Sequence, residues 1–161
     1  MADEAYERYA LATFRAITKR YPQKDPRRIL DDLVASTPGM EEKWFAAARQ
    51  AGFLNTAFRL AESSPCDPMT LTRAARDHRA SDSHFALGVG LAALRWISAG
   101  YGSELTGSDV VMAARYAIDA ARNAGRVDEV NNRIRAMFAE EGSRPGGCPL
   151  SKFLGMDIGP V

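Results

Sequence analysis

Only two cysteines occur in the 161 residues, Cys66 and Cys148, far apart along the chain. That is too few for a disulfide-stapled secreted scaffold, so both thiols are expected to be free in a reducing cytoplasm. No secretory signal is visible, because Met1 to Tyr9 is acidic and polar where a signal would be basic and then apolar. No run approaches eighteen uninterrupted apolar residues. The longest candidate, Phe85 to Ile97, contains Arg95 and reads as a buried core helix, so no membrane partner is expected. Charge of one sign is also missing: 21 Lys and Arg face 20 Asp and Glu, a formal charge of +1. A dedicated nucleic-acid binder usually carries a basic excess, so a nucleic acid is not an expected partner. Strand formers are scarce as well, with Val and Ile together at 13 against 27 Ala. Ala is the best helix former, and the balance points to an all-α protein.

The length and an apolar fraction of 46% suit one globular domain with a core of its own. We expect a single helical domain over 1–142 and a separate tail over 143–161. A first helix is expected from Asp3 to Tyr21, with Tyr6, Ala10, Phe14, Ile17 and Tyr21 on one inward face. Asp25-Pro26, Thr37-Pro38 and Asp67-Pro68 each read as a cap followed by a proline at the first helical position, where its missing N–H costs nothing. The helices they open should carry Ile29, Leu30, Leu33 and Val34, then Trp44, Phe45 and Ala48, then Leu71, Ala74, Ala75 and His78, the last at the helix end beside its C-terminal dipole. Between the last two, Asn55 can cap a further helix with Phe58 and Ala61 inward. Gly52 reads as a helix stop.

Ser81 or Asp82 caps a sixth helix with Phe85, Val89, Ala93, Trp96 and Ile97 inward. Gly88 and Gly90 inside it cost about 1 kcal/mol each relative to Ala, which implies close approach of a neighbouring helix. Thr106-Gly107-Ser108-Asp109 resembles a capping box. It opens a seventh helix with Val111, Ala114, Ile118 and Ala121 on one face, ending at Gly125. An eighth starts near Asp128 and should bury Val130, Ile134, Met137 and Phe138. No alternating strand pattern survives.

Alternate helices begin near residues 3, 38, 68 and 107, in steps of 35, 30 and 39. Such spacing suits stacked antiparallel hairpins, an α-solenoid-like arrangement. An irregular helical bundle with the same helix count stays open. Ala47-Ala48-Arg49-Gln50-Ala51-Gly52, with Ala57 and Ala61 after it, then Phe85-Ala86-Leu87 and Ala92-Ala93, resemble tetratricopeptide-type helical hairpins over about residues 46–102. The resemblance implies an interaction scaffold and carries over no functional residue.

Chemistry-bearing residues are sparse. His78 and His84 are six apart, off one helical face, and no CxxC or HxxxH pair joins them or the cysteines, so neither zinc nor any other metal is expected. Asp77 and His78 are adjacent on a helix and point in different directions. No G-x-S-x-G elbow, P-loop or H-E-x-x-H motif is present, and Gly88-Val89-Gly90 lacks the strand and third glycine of a dinucleotide site. No cofactor is expected. Arg73, Arg76 and Arg79 recur every three residues as a basic ridge, and Tyr101 sits in a glycine loop beside Trp96.

The leading expectation is a non-catalytic protein–protein interaction module in the cytoplasm, its partner a protein or peptide met by Arg73, Arg76, Arg79 and Tyr101. A small-molecule-binding or enzymatic helical bundle using His78 and His84 is the alternative, and a DNA-associated regulatory protein a second. After Pro145-Gly146-Gly147, the apolar residues Leu150, Phe153, Leu154, Met156, Ile158 and Val161 form a tail too short for its own core. It is expected to dock in a groove of its own helical stack, or of a neighbouring copy in a homo-oligomer.

Overall fold

The computed structural model describes residues 2–102 and 104–141, with side chains for 5–102 and 104–137. The tail over 143–161, Cys148 and the Phe138 side chain lie outside the described residues. Among the described residues, eight α-helices and one short 3₁₀ turn make up the regular structure, and no strand occurs. The protein is all-α. It divides into two compact units, the boundary falling between Cys66 and Asp67.

The first unit holds α1 (Ala2–Arg20), α2 (Pro26–Ala35), the 3₁₀ turn (Glu41–Trp44), α3 (Phe45–Gln50) and α4 (Leu54–Ser63). Helix α1 packs against α2, the 3₁₀ turn and α3, and α3 packs against α4. The core is built on Phe14, Ile29, Leu30, Trp44, Phe45 and Leu60, with Ala47, Ala48, Ala57 and Ala61 letting the backbones close in. Asp25 opens α2 as expected: its carboxylate accepts the Arg27 N–H at 2.9 Å, and Pro26 takes the first helical position. Leu33 and Val34 are only half-buried.

Thr37-Pro38 does not open a helix. The Thr37 carbonyl accepts the Met40 N–H at 3.0 Å, and Gly39 has φ +80°. Proline second and a positive-φ glycine third are the requirements of a type II turn, so the glycine after the proline decides the outcome. The Thr37 hydroxyl instead accepts the Trp44 indole N–H at 2.8 Å, which satisfies the one polar atom of a nearly buried ring. Gly52 does stop α3. With φ +79°, it donates to the Arg49 carbonyl, and Phe53 donates to Ala48, the paired bonds of a Schellman ending. That ending leads straight into α4, so Asn55 is an exposed residue inside the helix and makes no cap, and Phe58 is half-buried.

The second unit holds α5 (Pro68–His78), α6 (Ser83–Ser98), α7 (Gly107–Ala124) and α8 (Val127–Glu141). Helix α6 is central and packs against α5, α7 and α8. It is accordingly apolar nearly all round, burying Phe85, Leu87, Val89, Leu91, Leu94 and Ile97. Trp96 is half-buried. The expected close approach at Gly90 is real: a Cβ there would sit 2.9 Å from the Ala117 Cβ of α7.

Asp67 caps α5 by accepting the Thr70 N–H, and Asp82 caps α6 by accepting the Phe85 N–H. At α7 the capping box closes both ways. Thr106 Oγ1 accepts the Asp109 N–H, and the Asp109 carboxylate accepts the Thr106 N–H at 2.8 Å. Gly125 ends the helix at φ +68°. The buried face of α7 is Val110, Ala113, Ala114, Ala117, Ala120 and Ala121. Val111 and Ile118 are half-buried on its flank, about one residue of rotation from the expected face. Val130 and Ile134 are buried in α8 and Met137 is half-buried.

Candidate functional site

Ten positions of α1, from Ala5 to Phe14, already show its double character. Ala10 and Phe14 are buried and Ile17 is half-buried, which anchors one side of the helix to α2 and α3. Tyr6 and Tyr21, expected on that face, are instead exposed, because packing grips only the middle of the helix. On the opposite side Ala5, Tyr9, Ala12 and Ala16 recur at steps of four, three and four, and all four are exposed. Helical periodicity places them on one face. Tyr9 is 75% exposed and Tyr6 beside it is 55%. An apolar stripe carrying Tyr9, with Tyr6 on its flank, therefore faces water on a helix whose other side is already packed. Arg8, Arg15, Lys19 and Arg20 border it, and Arg15 donates to the Gln50 side chain at 2.6 Å, tying the stripe to the end of α3.

The residues expected to line a contact surface lie in the second unit and do not converge. Arg73 and Arg76 are exposed on α5, Arg76 pairing with Asp77 at 2.9 Å. Arg79 caps α5, and its guanidinium lies 5.2 Å from the centre of the Tyr116 ring. The Asn123 side chain donates to its carbonyl. Tyr101 is 46% exposed and stands edge-on to Trp96, with ring centres 5.5 Å apart. It belongs to the opposite end of α5, since a Cβ on the neighbouring Gly102 would touch Pro68 at 3.4 Å. Eleven helical residues separate the two ends, roughly 16 Å at the usual rise.

The histidines are likewise apart in character. His78 is half-buried and packs edge-on against Phe85, ring centres 5.0 Å apart, while His84 is exposed in the first turn of α6. Among the described residues no group of three His, Cys, Asp or Glu side chains could hold a metal ion. Cys66 is buried with its thiol directed to the Leu60 carbonyl. The carboxylates held below their usual range are at helix starts and turns. Asp109 is lowered by the Thr106 hydroxyl and N–H, Glu41 by the Gly39 N–H, and Glu129 by the Arg126 guanidinium. Each shift stabilises local structure. Among the described residues, no helix is long and apolar enough to cross a membrane.

Set against known families, curated proteins and solved structures, the chain matches none. The exposed face of α1 was hidden from sequence reading because Tyr6 and Tyr9 both fall on a helix with apolar residues on two sides. The 4-3-4 spacing of Ala5, Tyr9, Ala12 and Ala16 was the signal present in the chain.

Proposed function

We propose that this protein is a non-catalytic protein–protein interaction module of the cytoplasm, built of helical hairpins in the manner of tetratricopeptide repeats. Its docking surface is the outer face of α1. The observation that carries the reading is the exposure of Tyr6 and Tyr9 beside Ala5, Ala12 and Ala16. Small residues let a partner helix approach closely, and tyrosine supplies large contact area at low entropy cost. An amphipathic helix laid along this stripe is the partner that fits. The same face makes no demand on titratable or nucleophilic groups.

A photo-crosslinking residue placed at position 9 tests the reading in the native host. The expected result is one dominant crosslinked protein, with the attachment mapped to a helical segment. Ala12→Glu should abolish the adduct by placing a charge in the stripe, with the helical circular dichroism unchanged. The same collection of adducts from position 135 on α8, or an adduct indifferent to Ala12→Glu, would remove the basis of the proposal.

A further inference from the structure

The formal charge of +1 is an average, and it conceals one strongly uneven place. From Lys19 to Arg28 ten consecutive residues are exposed, the turn joining α1 to α2. Five of them are cations, Lys19, Arg20, Lys24, Arg27 and Arg28, and one is an anion, Asp25. The Asp25 carboxylate is occupied in capping α2. The nearest further carboxylates in sequence, Asp31 and Asp32, lie one turn along α2.

This segment is also shaped. The Lys24 N–H donates to the Tyr21 carbonyl at 3.0 Å, closing a turn with Pro22 in its second position, and Pro26 starts the helix. Two fixed proline φ values and two helix ends hold in place the backbone from which the cations extend. Tyr21 sits among them, 38% exposed, with Lys24 Nζ 5.3 Å and the Arg20 guanidinium 5.8 Å from its ring centre. A partly exposed aromatic beside cations is the pairing used to hold single strands, and the Lys24 and Arg20 cations over the ring would shift onto phosphates as a base takes their place. An anionic membrane fits less well, because Tyr21 is the one large apolar side chain available for insertion. An acidic peptide would use the cations and leave the ring without a role.

We propose that the Lys19–Arg28 turn binds single-stranded nucleic acid, its cations on the phosphates and Tyr21 stacked on a base. The inference does not rest on the α1 stripe or on the function proposed above. The occupant is identified by phosphodiester charge and a stackable base, with no sequence preference built into the surface.

The test is fluorescence anisotropy of a labelled twelve-residue oligothymidine with the full chain over a range of salt. Binding should be of the order of 1–100 μM at physiological salt, with a salt slope of about −0.7 for each engaged cation. Lys24→Gln and Arg28→Gln should each reduce that slope by about 0.7. Tyr21→Ala should weaken binding roughly fivefold to a hundredfold, and Tyr21→Phe should restore it. These side chains are exposed, so helical circular dichroism should be unaltered in every variant. Arg135→Gln, an exposed cation of the other unit, should bind as the parent does. No binding in this range overturns the proposal. So does displacement of the oligonucleotide by polyglutamate of equal charge, equal binding to anionic vesicles, indifference to Tyr21→Ala, or an equal loss from Arg135→Gln.

Discussion

Substituting Gly90 with Ala sets two effects against each other, and the structure says which is larger. In an exposed helix the change would stabilise by about 1 kcal/mol, because glycine is the poorer helix former. At position 90 the new methyl would lie 2.9 Å from Ala117 Cβ, 3.2 Å from Ala117 Cα and 3.5 Å from its nitrogen. Carbon atoms pack best at roughly 3.5–4.0 Å, so α6 and α7 must part by about 0.6–1.1 Å. The buried residues flanking Ala117 on α7, Ala113, Ala114, Ala120 and Ala121, are short side chains that cannot extend to fill a gap. Gaps of that size forfeit about a quarter to a half of each contact's attraction. Overpacking a tight core costs about 1–3 kcal/mol, so after the helix gain the expected net loss is about 0–2 kcal/mol. Urea unfolding followed by circular dichroism and tryptophan emission measures it. The double substitution with Ala117→Gly should lose about 1 kcal/mol less than the two single losses combined, since it removes the opposing methyl. A Gly90→Ala protein with a raised unfolding midpoint, or strict additivity in the double variant, would refute the close approach.

The capping box gives a second expectation. Thr106→Ala should cost about 1 kcal/mol. Because Asp109 titrates below its usual value in the folded protein, its contribution is present above the ordinary carboxylate pKa of about 3.9 and is lost as the pH falls through the lowered value. Asp109→Asn should therefore be less stable than the parent at neutral pH, with the gap closing in acid, as urea midpoints across pH will show. Thr37→Val leaves the Trp44 indole N–H without its acceptor inside a buried site and should cost about 1–3 kcal/mol, while Thr37→Ser should be close to neutral in the same urea assay. Gly125→Ala places a methyl on a left-handed residue and should cost roughly 1–2 kcal/mol, with Gly125→Asn milder; thermal unfolding distinguishes them.

The helix starts and stops were largely legible, because caps are local. Asp25, Asp67, Asp82 and Thr106 each bond to an amide two or three residues away, and Gly52 and Gly125 each take a positive φ that other residues avoid. Thr37-Pro38 failed for an equally local reason: the next residue is Gly39, and a type II turn outcompetes the cap. Asn55 failed because the Schellman ending at Gly52 delivers the chain into α4 two residues early. The candidate surface was harder. Arg73, Arg76 and Arg79 are regular in sequence, yet one end of that ridge is drawn to Tyr116, and Tyr101 belongs to the other end of α5.

Chain composition and short-range signals alone settled that this protein is all-α, how many helices its described residues form and where most of them begin, because those outcomes depend on bonds spanning a few residues. How much of the expected inward face of α1 is covered, and which side of α7 faces inward, were decided by tertiary packing. An alanine-rich helix offers several faces of nearly equal apolarity, and only the neighbouring helix selects among them. That selection buries Val110 in preference to Val111, leaves Tyr6 and Tyr9 in water, and presses Gly90 against Ala117.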